Sequence, residues 1–532
     1  MSGSLRVLLA EPYSNHPPRI ALLGLKQAID SSDISIDKTE IINVTDQLHL
    51  LVRQADVLVF SLSNPIELES LFHFLTCAKL PLKRQNRTSE MPIVVAGGMG
   101  LANPEPLGEF LDAVVVGSGY EPLLSFLRII SEFGRASVVY PYESVSNIAG
   151  LYIPAITETT YTKDGKIADL TNSFRLNNVS SSSIYTYASK VSENEAVLVP
   201  DIGCKHKCSF CTLSFWFNYN SVSLNDILLA IDDLSEQGVT QIKINSATAS
   251  QYPNLLEILE HIRSKGMTVA VGSVRIDKID NDILRGLSGI HSLSLTQYLY
   301  RRPPKNGCPS LTFGIECGSD RLLRLLNKSI TIREIKDGIL RVTQNGITNI
   351  GEYFMIGIPT EREEDIRGIA DLITFTYKCV APFDGEVFVK ITPLVPTPNT
   401  PMQRVEILSI SEYKEKLSMI KQYLLCELGS SVLEHSVHID SLPPEALLFE
   451  TIAFRGDQRM GKVLEAICNN GNIGKEVTEE DVERELKSAD LPNLSFFRRR
   501  IPKEEIAPWH FLISTSVLTE EEAYLKREKE HE

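Results

Sequence analysis

Long apolar runs are absent from this 532-residue chain. None approaches the ~18 consecutive apolar residues that a membrane-spanning helix requires, so a transmembrane protein is not expected. The short apolar stretch near the N-terminus breaks at Glu11-Pro12 and lacks a small-residue cleavage site, which favours a first strand over a signal peptide. With 43% hydrophobic and 23% charged residues, the composition is that of ordinary globular domains, and we expect a cytoplasmic protein.

An excess of positive charge is also lacking. The chain has 53 Lys and Arg against 68 Asp and Glu, which gives a formal net charge of −15. A broad positively charged surface for nucleic acid is therefore not expected, although the net charge does not exclude a local basic groove. The length allows two or three domains, because single hydrophobic cores stop growing near ~250–300 residues.

Cysteines are few and unevenly spaced. There are nine, an odd number, and Cys204, Cys208 and Cys211 crowd into one short segment. This usage predicts a reducing compartment and a metal site, not a disulfide framework. Cys308 and Cys317 are interpreted as ordinary thiols.

Up to about residue 130, short apolar runs such as RVLLA, DVLVFSLS and PIVVAGG alternate with helical stretches. The alternation predicts an α/β domain with a doubly wound, Rossmann-like parallel sheet, in which ligands bind at the carboxyl ends of the strands. Small residues follow the predicted third, fourth and fifth strands and would let backbone approach a bulky ligand. They are Ser61, Ser63, Gly97, Gly98, Gly117 and Gly119.

The rest of the chain divides into three predicted parts. Residues 131–194 read as a β-hairpin turning at Asp164-Gly165, followed by a linker. Residues 195–400 contain six apolar strands with intervening helices, which predicts a partial β/α barrel with its chemistry at the strand carboxyl ends. Residues 401–532 read as a mainly helical region, in which Arg498-Arg499-Arg500 is interpreted as a solvated run and the charged tail as a frayed helix.

The three crowded cysteines follow the strand AVLVP with the spacing C-x3-C-x2-C. Three thiolates in this arrangement can hold three irons of a four-iron, four-sulfur cubane and leave the fourth iron open. The alternatives are a zinc knuckle and a few buried thiols. Zinc would require a fourth ligand, and although His206 lies inside the loop, no second Cys pair follows.

This loop resembles the signature of the radical S-adenosylmethionine (SAM) enzymes. The resemblance implies that Cys204, Cys208 and Cys211 hold a [4Fe-4S] cluster whose open iron chelates SAM, and that Phe210 contacts the adenine. Asn245-Ser246-Ala247 stands where the family often has Gly-Gly-Glu for the SAM amino group, which puts Ser246 at that position.

Further motifs downstream are similar to those of the same family. Ser273 and Arg275 occupy an S-x-R-x-D segment and would face the SAM ribose and carboxylate, a contact that suits Arg; a strand-end salt bridge is the alternative for Arg275. Glu316 lies in an F-G-x-E-x-G-S motif at the end of an apolar strand, where burial implies a polar partner, either SAM or Arg275. Gly357 lies in a segment that resembles the adenine-flanking strand and turn.

The first domain resembles the cobalamin-binding domain of cobalamin-dependent radical SAM enzymes. The small residues after its third, fourth and fifth strands occupy the matching positions, and the resemblance implies that they contact the corrin or its nucleotide tail. The D-x-H-x-x-G motif that supplies an axial His in methionine synthase-type domains is absent. The alternative is a degenerate domain that binds nothing.

The implied activity is a cobalamin-dependent methyl transfer from SAM to an unactivated carbon, begun by a 5′-deoxyadenosyl radical, with ferredoxin or flavodoxin as electron donor. The substrate stays open among a peptide side chain, a lipid, a tetrapyrrole and a metabolite. One alternative is a radical SAM cyclisation or carbon–carbon coupling. An RNA methylthiotransferase would need a second Cys triad in the first domain, which has only Cys77. The non-enzyme alternative is a cobalamin or cluster sensor.

Overall fold

The computed structural model describes residues 4–11, 20–133, 142–175, 187–272, 274–287, 310–469 and 477–531. Ser273, predicted to contact SAM, and Cys308 lie outside these residues. The chain forms two compact units, each made of segments that are distant in sequence. The first unit comprises Met1–Thr186, Val395–Ile407 and Pro443–Leu518; the second comprises Tyr187–Leu394, Leu408–Leu442 and Thr519–Glu532.

A six-stranded sheet organises the first unit. Its strands lie in the order β2-β1-β3-β4-β5-β6, and all neighbours are parallel except β5 and β6. All five residues of β3 are buried, because helices cover both faces and the strand sequence is continuously apolar. The strands are β1 Leu5–Ala10, β2 Ile36–Ile42, β3 Val57–Ser61, β4 Ile93–Gly97, β5 Ala113–Val115 and β6 Leu151–Tyr152.

The order of these strands reverses between β1 and β3, which is where doubly wound folds place their ligands. The predicted doubly wound sheet is thereby confirmed. A hairpin of β7 Glu158–Tyr161 and β8 Ile167–Thr171 follows, with Gly165 in its turn at φ +82°. The helices of this part are α1 Ile20–Asp30, α2 Leu48–Val52, α3 Leu68–Cys77, α4 Tyr120–Phe133 and α5 Tyr142–Val145.

Two four-stranded sheets organise the second unit, and all neighbouring strands in them are parallel except β9 and β10. One sheet has the order β14-β13-β10-β9, another β15-β16-β17-β18, and a parallel bridge between Val274 and Phe313 links their facing edges. This is the predicted partial β/α barrel. The strands are β9 Ala188–Lys190, β10 Glu195–Leu198, β11 Asp201–Ile202, β12 Asn220–Ser221, β13 Gln241–Ile244, β14 Thr268–Val271, β15 Ser310–Glu316, β16 Asn349–Ile356, β17 Val387–Pro393 and β18 Val437–Ser441.

Helices separate these strands and bury one face each. At the start of the helix Ile332–Gln344, Thr331 and Glu334 form a capping box, so this helix begins where the sequence signals it. The helices are α6 Leu213–Trp216, α7 Leu224–Glu236, α8 Leu255–Ser264, α9 Asn281–Leu287, α10 Asp320–Leu325, α11 Ile332–Gln344, α12 Glu363–Val380, α13 Ile410–Leu428 and α14 Ser430–His435.

The helical C-terminal region contributes to both units. Its remaining helices are α15 Pro444–Arg455, α16 Gly461–Asn469, α17 Glu479–Ser488, α18 Leu494–Arg498 and α19 Thr515–His531. Residues 443–518 belong to the first unit, and most of α19 belongs to the second. None of the helices in the described part of the chain is long and apolar enough to cross a membrane.

Candidate active site

The three crowded cysteines lie in one loop that follows β10 and β11. Gly203 enters this loop at φ +76°, and a Cβ there would lie 2.8 Å from the carbonyl oxygen of Phe217, so only glycine fits. Gln251 fastens the loop from the side: its amide donates to the Gly203 carbonyl at 3.2 Å and its Oε1 accepts from the Lys205 N–H at 3.1 Å. Packing outside the loop thus fixes the loop backbone.

The thiols of this loop are close enough to influence one another. Burial raises the pKa of Cys211 to about 12, with the Cys208 and Cys204 thiols adding to the shift, and burial also raises the pKa of Cys208. Within the described residues, no group of three His, Cys, Asp or Glu side chains is placed to hold a single metal ion. A cubane, in which each thiolate binds a different iron, spaces its ligands more widely than one ion does. Three thiolates from one loop suit a cubane with one open iron, whereas a structural zinc site takes four ligands.

A buried ion pair stands beside these thiols. The Lys328 ammonium donates to the Glu316 carboxylate at 2.6 Å and to the Gly314 carbonyl at 2.5 Å, and its charge acts on the Cys208 thiol. The sequence predicted SAM or Arg275 as the polar partner of Glu316. Within the chain that partner is Lys328, and the expectation for Arg275 was wrong because Arg275 is occupied elsewhere.

Glu316 has an unusual backbone conformation. Its φ is +79°, in the left-handed region that a residue with a Cβ rarely adopts, and the pairing of β15 with β16 is irregular at this point. A Cβ on Gly314 would lie 2.5 Å from the Glu316 carboxylate, so the glycine of the motif makes room for that side chain. A strained backbone of this kind persists only where the surrounding packing holds it in place, and such residues are found most often at functional sites.

Arg275 is held within the chain. Its guanidinium donates to both carboxylate oxygens of Asp277, at 2.9 and 3.1 Å, and to the Ser329 carbonyl at 3.0 Å. The pair is buried, with side-chain exposures of 9% and 8%, so the salt bridge considered for Arg275 is present. Its charge reaches the cluster loop, since burial and then Arg275 lower the pKa of His206 to about 4. A SAM carboxylate contact by Arg275 stays a prediction.

The other predicted SAM-contacting residues lie at the same carboxyl ends of the barrel strands. Ser246, after β13, donates to Asp201 at 2.6 Å. Phe210 is half-buried in the cluster loop. Gly357, after β16, has φ +83°, and its N–H donates to Glu361 at 2.9 Å. Their contacts with SAM stay predictions.

A contact that the sequence did not reveal comes from the last helix. Arg527 of α19 donates to the hydroxyl of Ser209, between the second and third cysteines, at 3.0 Å. The Ser209 N–H donates to the Leu326 carbonyl at 2.9 Å. The tail expected to be frayed is thus an ordered helix, and the buried Tyr524 anchors it. Only tertiary packing brings this arginine to the loop, so no local motif indicates it.

In the first unit, the small residues at the strand ends fall into two groups. A Cβ on Gly98 would lie 2.2 Å from the Leu62 carbonyl oxygen, and one on Gly97 would lie 3.1 Å from the Val115 carbonyl oxygen, so packing of the chain explains both. Among the described residues, in contrast, nothing lies within 4 Å of a Cβ added to Gly117, and the nearest atom to one added to Gly119 is a methyl of Val115 at 3.9 Å. The open space is therefore at the end of β5.

Ser61 and Ser63 lie at and just after the carboxyl end of β3. Ser61 is buried at the end of β3, and the Ser63 N–H donates to Glu67 at 2.8 Å. The neighbouring Asn64 hydrogen-bonds Glu450 of α15, whose pKa burial raises to about 7. A C-terminal helix therefore packs at this edge of the sheet, which the sequence did not indicate.

A cysteine-lined loop at the carboxyl ends of a partial barrel, together with a doubly wound domain, defines an iron–sulfur enzyme class. The family model for the N-terminal domain of radical SAM proteins matches residues 30–154, and that of the radical SAM superfamily matches residues 199–373. The chain belongs to the radical SAM superfamily, and this membership implies a [4Fe-4S] cluster and SAM as cofactors.

Solved structures of cobalamin-dependent radical SAM enzymes share the fold. The radical SAM methyltransferase TsrM from Kitasatospora setae, solved with cobalamin and a [4Fe-4S] cluster, superposes with a TM-score of 0.54 at 14% identity and covers 91% of this chain and 100% of its own. OxsB with aqua-cobalamin and SAM bound gives 0.51 at 12% identity, covering 92% of this chain and 70% of its own.

The sequence relatives include an uncharacterized protein and a tRNA methylthiotransferase. The uncharacterized protein MJ0966 of Methanocaldococcus jannaschii is 25% identical over 72% of this chain and 76% of its own. The threonylcarbamoyladenosine tRNA methylthiotransferase MtaB of Aquifex aeolicus is 24% identical over 44% of this chain and 57% of its own. The chain thus spans little more than half of that methylthiotransferase.

Proposed function

We propose that this radical SAM enzyme is a cobalamin-dependent methyltransferase acting on an unactivated carbon. The observation that carries the proposal is the likeness to TsrM, which extends over 91% of the chain and so includes both the sheet of the first unit and the barrel of the second. When bound, the cluster supplies the electron that cleaves SAM to a radical, and cobalamin carries the methyl group.

The chain's own residues have separate tasks in this proposal. Cys204, Cys208 and Cys211 hold the cluster in a loop that Gln251 keeps rigid. The Lys328–Glu316 pair stands beside the thiols and keeps charged groups in fixed positions where the cluster and SAM meet. Fixed charges in a buried site need no reorganisation during the reaction, which favours charge-separated steps.

The first unit contributes space for the corrin at the end of β5. The open positions beside Gly117 and Gly119 support this assignment. The loops after β3, β4 and β5, residues 62–67, 98–104 and 116–119, contain no His, so these loops supply no axial imidazole. We infer that the corrin binds through backbone approach here, without His ligation from these segments.

SAM cleavage tests the enzyme assignment. Anaerobically reconstituted protein with a strong reductant should form 5′-deoxyadenosine, and Cys208→Ala should abolish its formation. Cys426→Ala is the matched control, since this thiol is exposed on α13 and far along the chain from the loop. A Cys208→Ala variant as active as Cys426→Ala would contradict the cluster assignment.

Cobalt content tests the cobalamin assignment. Gly119→Leu should fill the space at the end of β5 and lower bound cobalt severalfold, while 5′-deoxyadenosine formation persists. Gly119→Ala is the graded control, because a single methyl meets only Val115. Unchanged cobalt content in Gly119→Leu would exclude the corrin from this end of the sheet.

A second candidate follows from the sequence relatives. The matches to tRNA methylthiotransferases favour transfer of a methylthio group to tRNA. Methyl-labelled SAM separates the two candidates: a methylated carbon carries the label without added sulfur, whereas a methylthiolated tRNA gains sulfur together with the label. The absence of both products would leave cyclisation or carbon–carbon coupling as the reaction.

A further inference from the structure

A small pocket lies in the first unit, at a place that the proposed reaction does not use. Its volume is about 30 Å³, which is room for roughly two waters. Apolar residues such as Phe497 and Ile506 line it together with five charged side chains, which are Lys166, Arg455, Asp457, Arg499 and Glu505. The pocket is therefore a mixed site with apolar walls and a charged end.

Arg455, the last residue of α15, is the unusual member of this lining. Its exposure is 3%, and its Nη2 donates to the Val405 carbonyl. The ring of Trp509 lies 5.7 Å from the guanidinium carbon. Within the described residues, its Nε and Nη1 are buried and have no hydrogen-bond partner. A buried guanidinium with unpaired N–H groups is costly, and native structures ordinarily satisfy such groups.

No carboxylate in the lining is available to neutralise Arg455. Glu505 pairs with Arg499. Asp457 accepts two hydrogen bonds from Arg459, from Nε at 2.9 Å and from Nη2 at 2.7 Å. Burial together with Arg404 lowers the pKa of Arg455 to about 9, and Glu406, which pairs with Arg500, opposes this shift. Arg455 nevertheless stays charged at neutral pH, because its pKa remains well above 7.

We propose that this pocket binds a small carboxylate ligand, with Arg455 as its counter-charge. The two oxygens of a carboxylate can take the places of the two waters that the pocket has room for, and a charge-assisted hydrogen bond to a guanidinium is about twice as strong as a neutral one. The apolar walls would contact the carbon next to the carboxyl group. This site is independent of the proposed methyl transfer, since it uses none of the cluster or SAM residues.

Acetate is the probe for the test, applied to the full-length protein with its cluster. At constant sodium concentration, replacing chloride by acetate should raise the melting temperature of the protein saturably, by roughly 2–4 °C at ten times the dissociation constant. Saturation-transfer NMR should show contact with the acetate methyl group. No rise and no transfer would mean that ordered water fills the pocket, which would overturn the proposal.

Variants locate the response. Arg455→Met keeps the apolar stem and removes the charge, so it should lose the acetate response, whereas Arg484→Met on α17 should keep it because that side chain is exposed. If Arg455→Met does not fold, the NMR measurement on the unaltered chain still decides. A preference for phosphate over acetate at equal ionic strength would overturn the assignment of carboxylate.

Discussion

Arg527 connects the end of the chain to the cluster loop through one hydrogen bond to Ser209, at 3.0 Å. We predict that Arg527→Ala loosens the loop between Cys208 and Cys211 and increases the rate of iron loss to a chelator severalfold. Lys529→Ala is the control, because that side chain is exposed on the same helix. The measurement is iron release from anaerobic protein over time. Equal release from both variants would mean that the contact does not stabilise the loop.

Glu352 is a buried carboxylate in β16. Its Oε1 accepts from Thr376 at 2.6 Å, its Oε2 has no partner in the part of the chain that the structure describes, and burial raises its pKa to about 7. Because the folded protein retains this proton where the unfolded chain has lost it, the free energy of unfolding should fall as pH rises from 4.5 towards 7 and then stay low.

Glu352→Gln removes this titration. At pH 8 we expect it to raise the free energy of unfolding by about 3 kcal/mol, and the gain should shrink as pH falls towards 4.5. Glu427→Gln on α13 is the control, since Glu427 is exposed. Urea unfolding at several pH values measures the effect. A gain that did not depend on pH would contradict the assigned titration.

The sequence identified the residues whose chemistry depends on local spacing. The cysteine triad is one such set, and Glu316 is another, because a carboxylate at the end of an apolar strand needs a partner. The sequence did not identify Lys328 or Arg527 as neighbours of that site. They reach it from other helices, and a single Lys or Arg carries no local signal of its tertiary contact.

At the scale of secondary structure, two helices owe their close approach to glycine. Gly318 precedes α10 and Gly368 lies inside α12, and a Cβ on Gly368 would lie 2.2 Å from the Gly318 carbonyl oxygen. We predict that Gly368→Ala lowers the free energy of unfolding by about 1–3 kcal/mol through overpacking. This sign is opposite to the gain of about 1 kcal/mol that Ala ordinarily brings to a helix interior.

Asp371→Ala, exposed on the same helix, is the control for helix propensity and should change the free energy of unfolding little. Urea denaturation of the three proteins measures the difference. If Gly368→Ala were as stable as the unaltered chain, the two helices would have to separate at little cost.

The strands were easier to predict than the helices of the C-terminal region. Barrel strands such as β14 and β15 are rich in consecutive buried apolar residues, which is typical of strands covered on both faces. The strand β18 was missed because VHIDS is short and has polar residues at alternate positions within a region that is otherwise helical. This segment forms a strand because its backbone pairs in parallel with β17, which its own sequence does not indicate.

At the scale of the whole molecule, the first unit is completed by residues 443–518, far along the chain. Asn103 donates to the Gly456 carbonyl at 2.7 Å. Phe511 stacks on Tyr152 of β6, with ring centroids 5.3 Å apart. Arg498, expected in a solvated run, is 9% exposed and pairs with Glu479, so that expectation was wrong for this residue.

We therefore predict that a chain ending after Leu442 loses protection of the first sheet. Hydrogen exchange should become faster by orders of magnitude in β5 and β6, because removing Phe511 uncovers Tyr152 and removing α15 uncovers the loops after β3 and β4. A chain ending after Leu518 is the control, since it keeps all of the first unit and lacks most of α19. Hydrogen exchange followed by mass spectrometry reports both chains peptide by peptide. Equal protection of β5 and β6 in the two chains would mean that the sheet folds without its C-terminal segment.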